Sequence, residues 1–363
     1  MRKVLLSALL VSFVIFGVYA GGQMESKTDE VVIGISMPTL QEERWQKDQR
    51  IMVEELTELG VKRENILIQS ADGDEQKQVT QSENLITMGI DVLIIIPQNG
   101  DAVAPVVASA HEAGVKVIAV DRIINNADLD FYVSYDMFAL GALQADYIVN
   151  KLGVNSGNWI LVGGAPTDPN AAVIRRGQMS VYGEFIDSGQ INVVLDQPAN
   201  YWSPSEALRI VEAGLTKANN NVDVVFTTND GCAGAAIVAL EEQGLAGTVP
   251  VPGLDAELSA CQRIVQGTQS MTVYRKLAVQ DQVAAQVAYA LATGKDPSSI
   301  VKFDITSVNN GYGEIPAILF GAGEAMFAVD AANMKLVIDD EWLTADEIYG
   351  NLDPSLWPDW YKK

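Results

Sequence analysis

A doubly wound α/β fold in two lobes is what this sequence predicts. From residue 31 onward, short Val- and Ile-rich runs alternate with amphipathic stretches of helical length. The runs are continuous rather than strictly alternating, which suits strands covered on both faces of a parallel sheet. Ten of them follow one another, too many for one open sheet in a small domain, so two similar Rossmann-like lobes are the natural division. No Gly/Ser- or Pro-rich tether separates them, which predicts a stiff hinge of several crossovers.

The strand candidates are, in order, residues 31–37, 65–71, 91–97, 115–121, 131–136, 158–164, 191–196, 223–229, 248–255 and 270–275. Helical spacing appears at 42–59, 79–88, 137–151, 203–215, 232–243 and 277–293. The first of these carries Trp45, Met52, Leu56 and Leu59 along one stripe, so the Trp45 ring is expected to pack toward its lobe, with stacking against a bound ligand as the alternative. Thr39 and Glu42 form a T-x-x-E pattern and read as a capping box opening that helix. The end, "NLDPSLWPDWYKK", reads as a packed tail rather than a helix.

In open α/β sheets, ligands sit outside the carboxyl ends of the strands. Here strand after strand finishes in Asp, Asn, Arg or Lys. Arg44 and Lys47 fall in the first turns of the first helix and are expected to share a face. Asp121 and Arg122 end the fourth run, Asn170 sits near a helix start, and Trp202 lies on a loop. Asn229, Asp255 and Arg275 close the eighth, ninth and tenth runs. Aspartates at such places often cap helices, as expected of Asp230 and of Asp255 ahead of Glu257. Arginine and lysine do not, because a cation opposes the dipole of a helix N-terminus.

The mixture itself is informative. A hydroxyl both donates and accepts, so a neutral polyol is satisfied by donor-only cations and acceptor-only carboxylates together. An aromatic plane such as Trp202 covers the apolar face of a sugar ring. An anionic ligand would want the cations without the carboxylates.

The stretches "ERWQKD" (43–48), "VDRIINNADLDFYVSYD" (120–136), "GGAPTDPNA" (163–171), "TNDGCAGAAI" (228–237) and "GTQSMTVYR" (267–275) carry a resemblance. Together they are similar to the xylose branch of the ribose/galactose-type periplasmic sugar-binding components of ABC importers, from about residue 31 to about 340. That resemblance implies two lobes joined by three crossovers near 136, 275 and 308, with the sugar in the cleft. The expected division is 31–136 plus 276–308 for one lobe and 137–275 plus 309–345 for the other, with a tail at 346–363. It also implies sugar contacts at Arg44, Lys47, Asp121, Arg122, Asn170, Trp202, Asn229 and Asp255. The family has Lys then Pro after "MTVY", whereas this chain has Arg275 and Lys276. Arg275 joins the expected set as a longer, forked cation. Arg175 and Arg176 are left out of it.

The implied ligand is D-xylose or a related aldose, and the implied partner of a monomeric protein is an ABC permease. A sensor handing its closed form to a membrane kinase or chemoreceptor is the alternative. No cofactor or metal is expected, and with one histidine, His111, a multi-histidine metal site is excluded. No G-x-G-x-x-G, phosphate loop or G-x-S-x-G is present, so an enzyme is not expected.

Formal charge is −23, from 47 acids and 24 bases, which repels phosphate backbones and excludes nucleic acid as a partner. Arg2 and Lys3, an apolar run to Val18 and "VYA" at 18–20 read as an export signal cut after Ala20, followed by a flexible polar segment at 21–30. That signal occupies the place where a sugar-responsive repressor would carry its DNA-binding helices. Cys232 and Cys261, the only cysteines, are expected to be small buried residues.

Overall fold

The computed structural model describes residues 30–362; the export signal expected at 1–20 lies outside the described residues. Parallel strands β1 (Ile33–Met37), β2 (Ile66–Ser70), β3 (Val92–Ile95), β4 (Lys116–Val120) and β5 (Phe131–Tyr135) build the first sheet. Helices α1 (Glu43–Glu58), α2 (Glu75–Thr87) and α3 (Ala104–Glu112) connect successive strands among the first four. After β5 the chain enters α4 (Met137–Asp146) and begins the second lobe with β6 (Gly157–Gly163), α5 (Pro169–Asp187), β7 (Ile191–Pro198), α6 (Pro204–Lys217) and β8 (Val224–Thr227). It continues through α7 (Asp230–Glu242), β9 (Pro252–Leu254), α8 (Leu258–Gln266) and β10 (Met271–Arg275). Helix α9 (Leu277–Ala292) returns to pack beside α1.

The region after α9 departs from expectation. Strands β11 (Thr306–Asn309) and β12 (Glu314–Phe320) extend the first sheet, whose order is β11-β12-β5-β4-β3-β1-β2. β12 pairs in parallel with β5, so the return to the second lobe falls after Phe320 and not near 308. Strand β13 (Met326–Val329) then pairs antiparallel with β10. Short helices α10 (Lys335–Asp339) and α11 (Ala345–Tyr349) follow, and beyond them the chain end carries only one 3-10 turn at Pro354–Leu356. Its aromatic residues Tyr349, Trp357 and Tyr361 pack on one another and on the second lobe.

All five residues of β1 and all four of β3 are buried, as strands covered on both faces must be. The second lobe contains two three-stranded sheets, β7-β6-β8 and β9-β10-β13. Gln144 on α4 joins them: its amide donates to the carbonyls of Thr227, Thr228 and Gly253, and its oxygen accepts from Gln178 at 2.8 Å. This satisfies backbone carbonyls just where the loops of the cleft leave β8 and β9.

Helices α4 and α5 touch backbone to backbone. A Cβ at Gly141 would stand 2.0 Å from the Ile174 carbonyl oxygen, and one at Gly177 would stand 2.0 Å from that of Phe138. Only glycine permits that approach. It holds the start of α5, with Asp168 and Asn170, at a fixed height beside the crossover from β5.

Candidate functional site

Eight of the nine residues singled out from the sequence line one cavity between the sheets: Arg44, Asp121, Arg122, Asn170, Trp202, Asn229, Asp255 and Arg275. Its atom-free space, counted out into the open mouth, is about 380 Å³.

Lys47 is the exception. Helix α1 turns its buried face inward with Arg44, Trp45, Asp48, Met52 and Leu56. Residues four apart on a helix diverge by about 40° and residues three apart by about 60° in the opposite sense. Asp48 therefore stays beside Arg44 at 3.0 Å, while Lys47 rotates away and its ammonium donates to the Trp342 carbonyl.

The helix begins at Glu43, with Glu42 as an N-cap that makes no side-chain capping bond. The expected capping box is absent, because Thr39 Oγ1 accepts from the backbone of Gln41 instead.

Asp121 follows β4 with φ +60°, a left-handed conformation uncommon outside glycine. Its carbonyl accepts from Tyr132 Oη (2.9 Å), Ser134 Oγ (2.7 Å) and Asn170 Nδ2 (3.0 Å), so the surroundings over-determine it. Its carboxylate takes Arg44 at 2.9 Å and Arg275 at 2.8 Å. Asp255, at φ +103°, takes Arg275 at 2.6 Å and faces Arg44 at 3.6 Å, so it does not cap the following helix.

Asn229, not Asp230, caps α7, accepting from Cys232 N at 3.1 Å. Asp230 lies inside the helix and its carboxylate accepts from Gln269, Thr272 and the backbone of Glu257. Asp168 caps α5 through the Asn170 amide and pairs with Arg122 Nε at 2.7 Å. It also accepts from Trp202 Nε1 at 3.0 Å. The Trp202 ring lies over Gly164, where a Cβ would meet it at 2.1 Å.

Arg275–Asp121, Arg44–Asp255 and Arg122–Asp168 each join residues of different lobes, so the cleft is closed in this structure. Burial alone would raise the Asp121 carboxyl, but the guanidiniums of Arg44, Arg275 and Arg122 outweigh it and hold Asp121 well below the usual carboxylate range. Asp48 goes the other way. Burial pushes it up to about 6, against the attraction of Arg44. Burial likewise raises Asp168, opposed by Arg122. Three arginines facing three aspartates form a nearly neutral, charge-rich wall, suited to an uncharged ligand with many hydroxyls.

Sequence reasoning missed Glu42, Met137, Asp168, Ile174 and Leu254 in this lining. Asp168 was legible, since Asp before Pro opens a helix. Trp45 is buried among Met52 and Leu56 as its stripe predicts, yet it also reaches the cavity, with the Arg44 guanidinium 3.8 Å from the ring centroid. Arg175 pairs with Asp196, and Arg176 lines a separate cavity beside the crossover from β5. Cys232 and Cys261 are buried free thiols. Among the described residues, no group of three or more His, Cys, Asp or Glu is arranged to hold a metal ion.

Residues 33–296 match the periplasmic binding protein domain. The chain is 46% identical over 290 residues to the D-xylose-binding periplasmic protein of Escherichia coli (strain K12), covering 80% of this chain and 85% of that one. It is 44% identical over 321 residues to the D-xylose-binding periplasmic protein of Haemophilus influenzae, covering 88% and 92%. Among solved structures, a carbohydrate transporter solute-binding protein from Chloroflexus aurantiacus in complex with D-glucose superposes with a TM-score of 0.78 at 30% identity, over 88% of this chain and 98% of that one. The sheets, the cleft and these likenesses agree: the chain belongs to the periplasmic binding protein family, with the type I fold of its sugar-binding members.

Proposed function

We propose that this protein captures D-xylose in the cleft between its lobes and delivers it to an ABC permease. The observation that carries the reading is the cavity wall itself. Buried arginines and aspartates from both lobes meet there at 2.6–3.6 Å, with the Trp202 plane beside them. Hydrogen bonds to charged groups contribute about 1.5–3 kcal/mol each, so a few hydroxyls held this way support tight binding of a small neutral molecule.

Arg44, Asp121, Arg122, Asn170, Asn229, Asp255 and Arg275 are the proposed hydroxyl partners, and Trp202 the stacking plane. Ligand and lobes close together, because only the closed form offers both halves of the site. The names of two relatives at 46% and 44% identity favour xylose among the aldoses. Export by a cleaved signal, and action as a monomer, complete the reading.

Calorimetric titration with xylose, glucose, arabinose and ribose tests it. Xylose is expected to bind most tightly, with compaction on binding seen by small-angle scattering. Tighter binding of glucose would reassign the ligand, and no compaction would defeat the closure.

A further inference from the structure

We propose that Lys47 and Trp342 form a latch between the two lobes, closed after the sugar enters, which sets how slowly the ligand leaves. This rests on the sugar-binding reading above. Lys47 belongs to α1 of the first lobe, and Trp342 to the C-terminal segment packed on the second. The Lys47 ammonium stands 3.2 Å from the Trp342 carbonyl oxygen and 4.1 Å from its ring centroid, so one cation is held by a carbonyl and an aromatic face at once.

The segment that offers this face is itself anchored beside the site. Trp342 Nε1 donates to the Ala256 carbonyl at 3.1 Å. Ala256 follows Asp255, the partner of Arg275, and has φ +51°. Two residues earlier, Asp340 pairs with Lys276 at 3.1 Å, at the crossover from β10 to α9. Residues 340–342 thus grip the loop that carries Asp255, the crossover residue Lys276 that follows Arg275, and the opposite lobe.

Lys47 also pairs with Glu43, one turn back on its own helix, at 2.9 Å. When the lobes part, Lys47 keeps Glu43 and regains water, so opening leaves no stranded charge. The contact with Trp342 is then specific to the closed form. An interaction present only there slows dissociation and leaves association nearly untouched.

The test measures D-xylose dissociation from the full chain by stopped-flow fluorescence for Lys47→Met, Lys47→Arg, Trp342→Leu and the Lys47→Met/Trp342→Leu pair. Lys47→Met is expected to speed dissociation about 3- to 30-fold, the span of a cation–π contact expressed as a rate ratio. Lys47→Arg restores most of it, and the double variant is less than the product of the singles. The melting temperature of the ligand-free protein stays unchanged in Lys47→Met.

Unchanged dissociation in Lys47→Met with xylose still bound overturns the latch and leaves the sugar site standing. A fall in ligand-free melting temperature equal to that of the bound form overturns it too, since the contact would then be static. Failure of the unaltered protein to bind xylose overturns the underlying reading and is seen before any variant is made.

Discussion

Arg275 Nη1 donates to Asp121 Oδ2 at 2.8 Å, one residue at the end of β10 and the other at the end of β4, in different lobes. The other terminal nitrogen of the same guanidinium holds Asp255 at 2.6 Å. Both carboxylates and the arginine are buried, so each depends on the others for its charge. The fork is therefore a clamp between lobes as well as a wall of the cavity.

Removing the fork leaves two buried carboxylates, Asp121 and Asp255, to share Arg44 alone. Arg275→Ala is expected to weaken xylose binding at least 100-fold, from loss of about 3–5 kcal/mol. Arg275→Lys keeps the charge without the two-pronged geometry and falls between. Calorimetry measures both, and equal affinity for Lys and Arg variants would remove the fork from the argument.

Trp202 is expected to cover the ring of the sugar. Trp202→Ala should cost about 10- to 100-fold in affinity, in line with about 1–3 kcal/mol for stacking. Trp202→Phe keeps a plane but loses the bond from Nε1 to Asp168, so it lies in between. A Kd that ignores both changes would place the sugar elsewhere.

Opposite pKa shifts give opposite pH dependences. Asp121 is held low, so its contribution to stability is present above the unfolded carboxylate range near about 4 and is lost only as acid deepens below it. Burial pushes Asp48 up to about 6, Asp230 to about 7 and Glu257 to about 8, so the native protein holds protons that the unfolded chain has released. Their stability is present below about 4 and is lost as pH rises through 6 to 8. The urea midpoint should be higher at pH 5 than at pH 8.

Asp281 separates a protonated acid from an ionised one. It is fully buried, and burial together with the neighbouring Asp48 raises it well above the usual carboxylate range. Asp281→Asn should leave the urea midpoint at pH 7 nearly unchanged, whereas Asp121→Asn should lower it by the equivalent of about 3–5 kcal/mol. Equal losses would mean that Asp281 is ionised.

The contact of α4 with α5 is steric and easily probed. Gly177→Ala puts a methyl group into the Phe138 carbonyl oxygen and should cost about 1–3 kcal/mol, read as a lower melting temperature. Because α5 carries Asp168 and Asn170, xylose affinity should fall as well. A change in stability alone would uncouple this packing from the site.

Local pattern determined much of this protein. All ten strand candidates form, with β1 and β3 buried along their whole length as continuous apolar runs suit. The polar residues at their ends then fall at one edge, and eight of nine line a common cavity. Three things were decided only by tertiary structure. Strand β12 joins β5 because an open sheet edge stood free beside it, which no periodicity within 314–320 records. Lys47 leaves the cavity because rotation about α1 is fixed by the burial of Trp45 and Met52, and spacing alone does not say where a side chain's partner lies. Asp168 and Trp45 enter the wall because α5 and α1 are pressed in from the two lobes. A sequence records which side chains a strand or helix can offer; which of them meet depends on contacts between segments far apart in the chain, and those exist only once the lobes have packed.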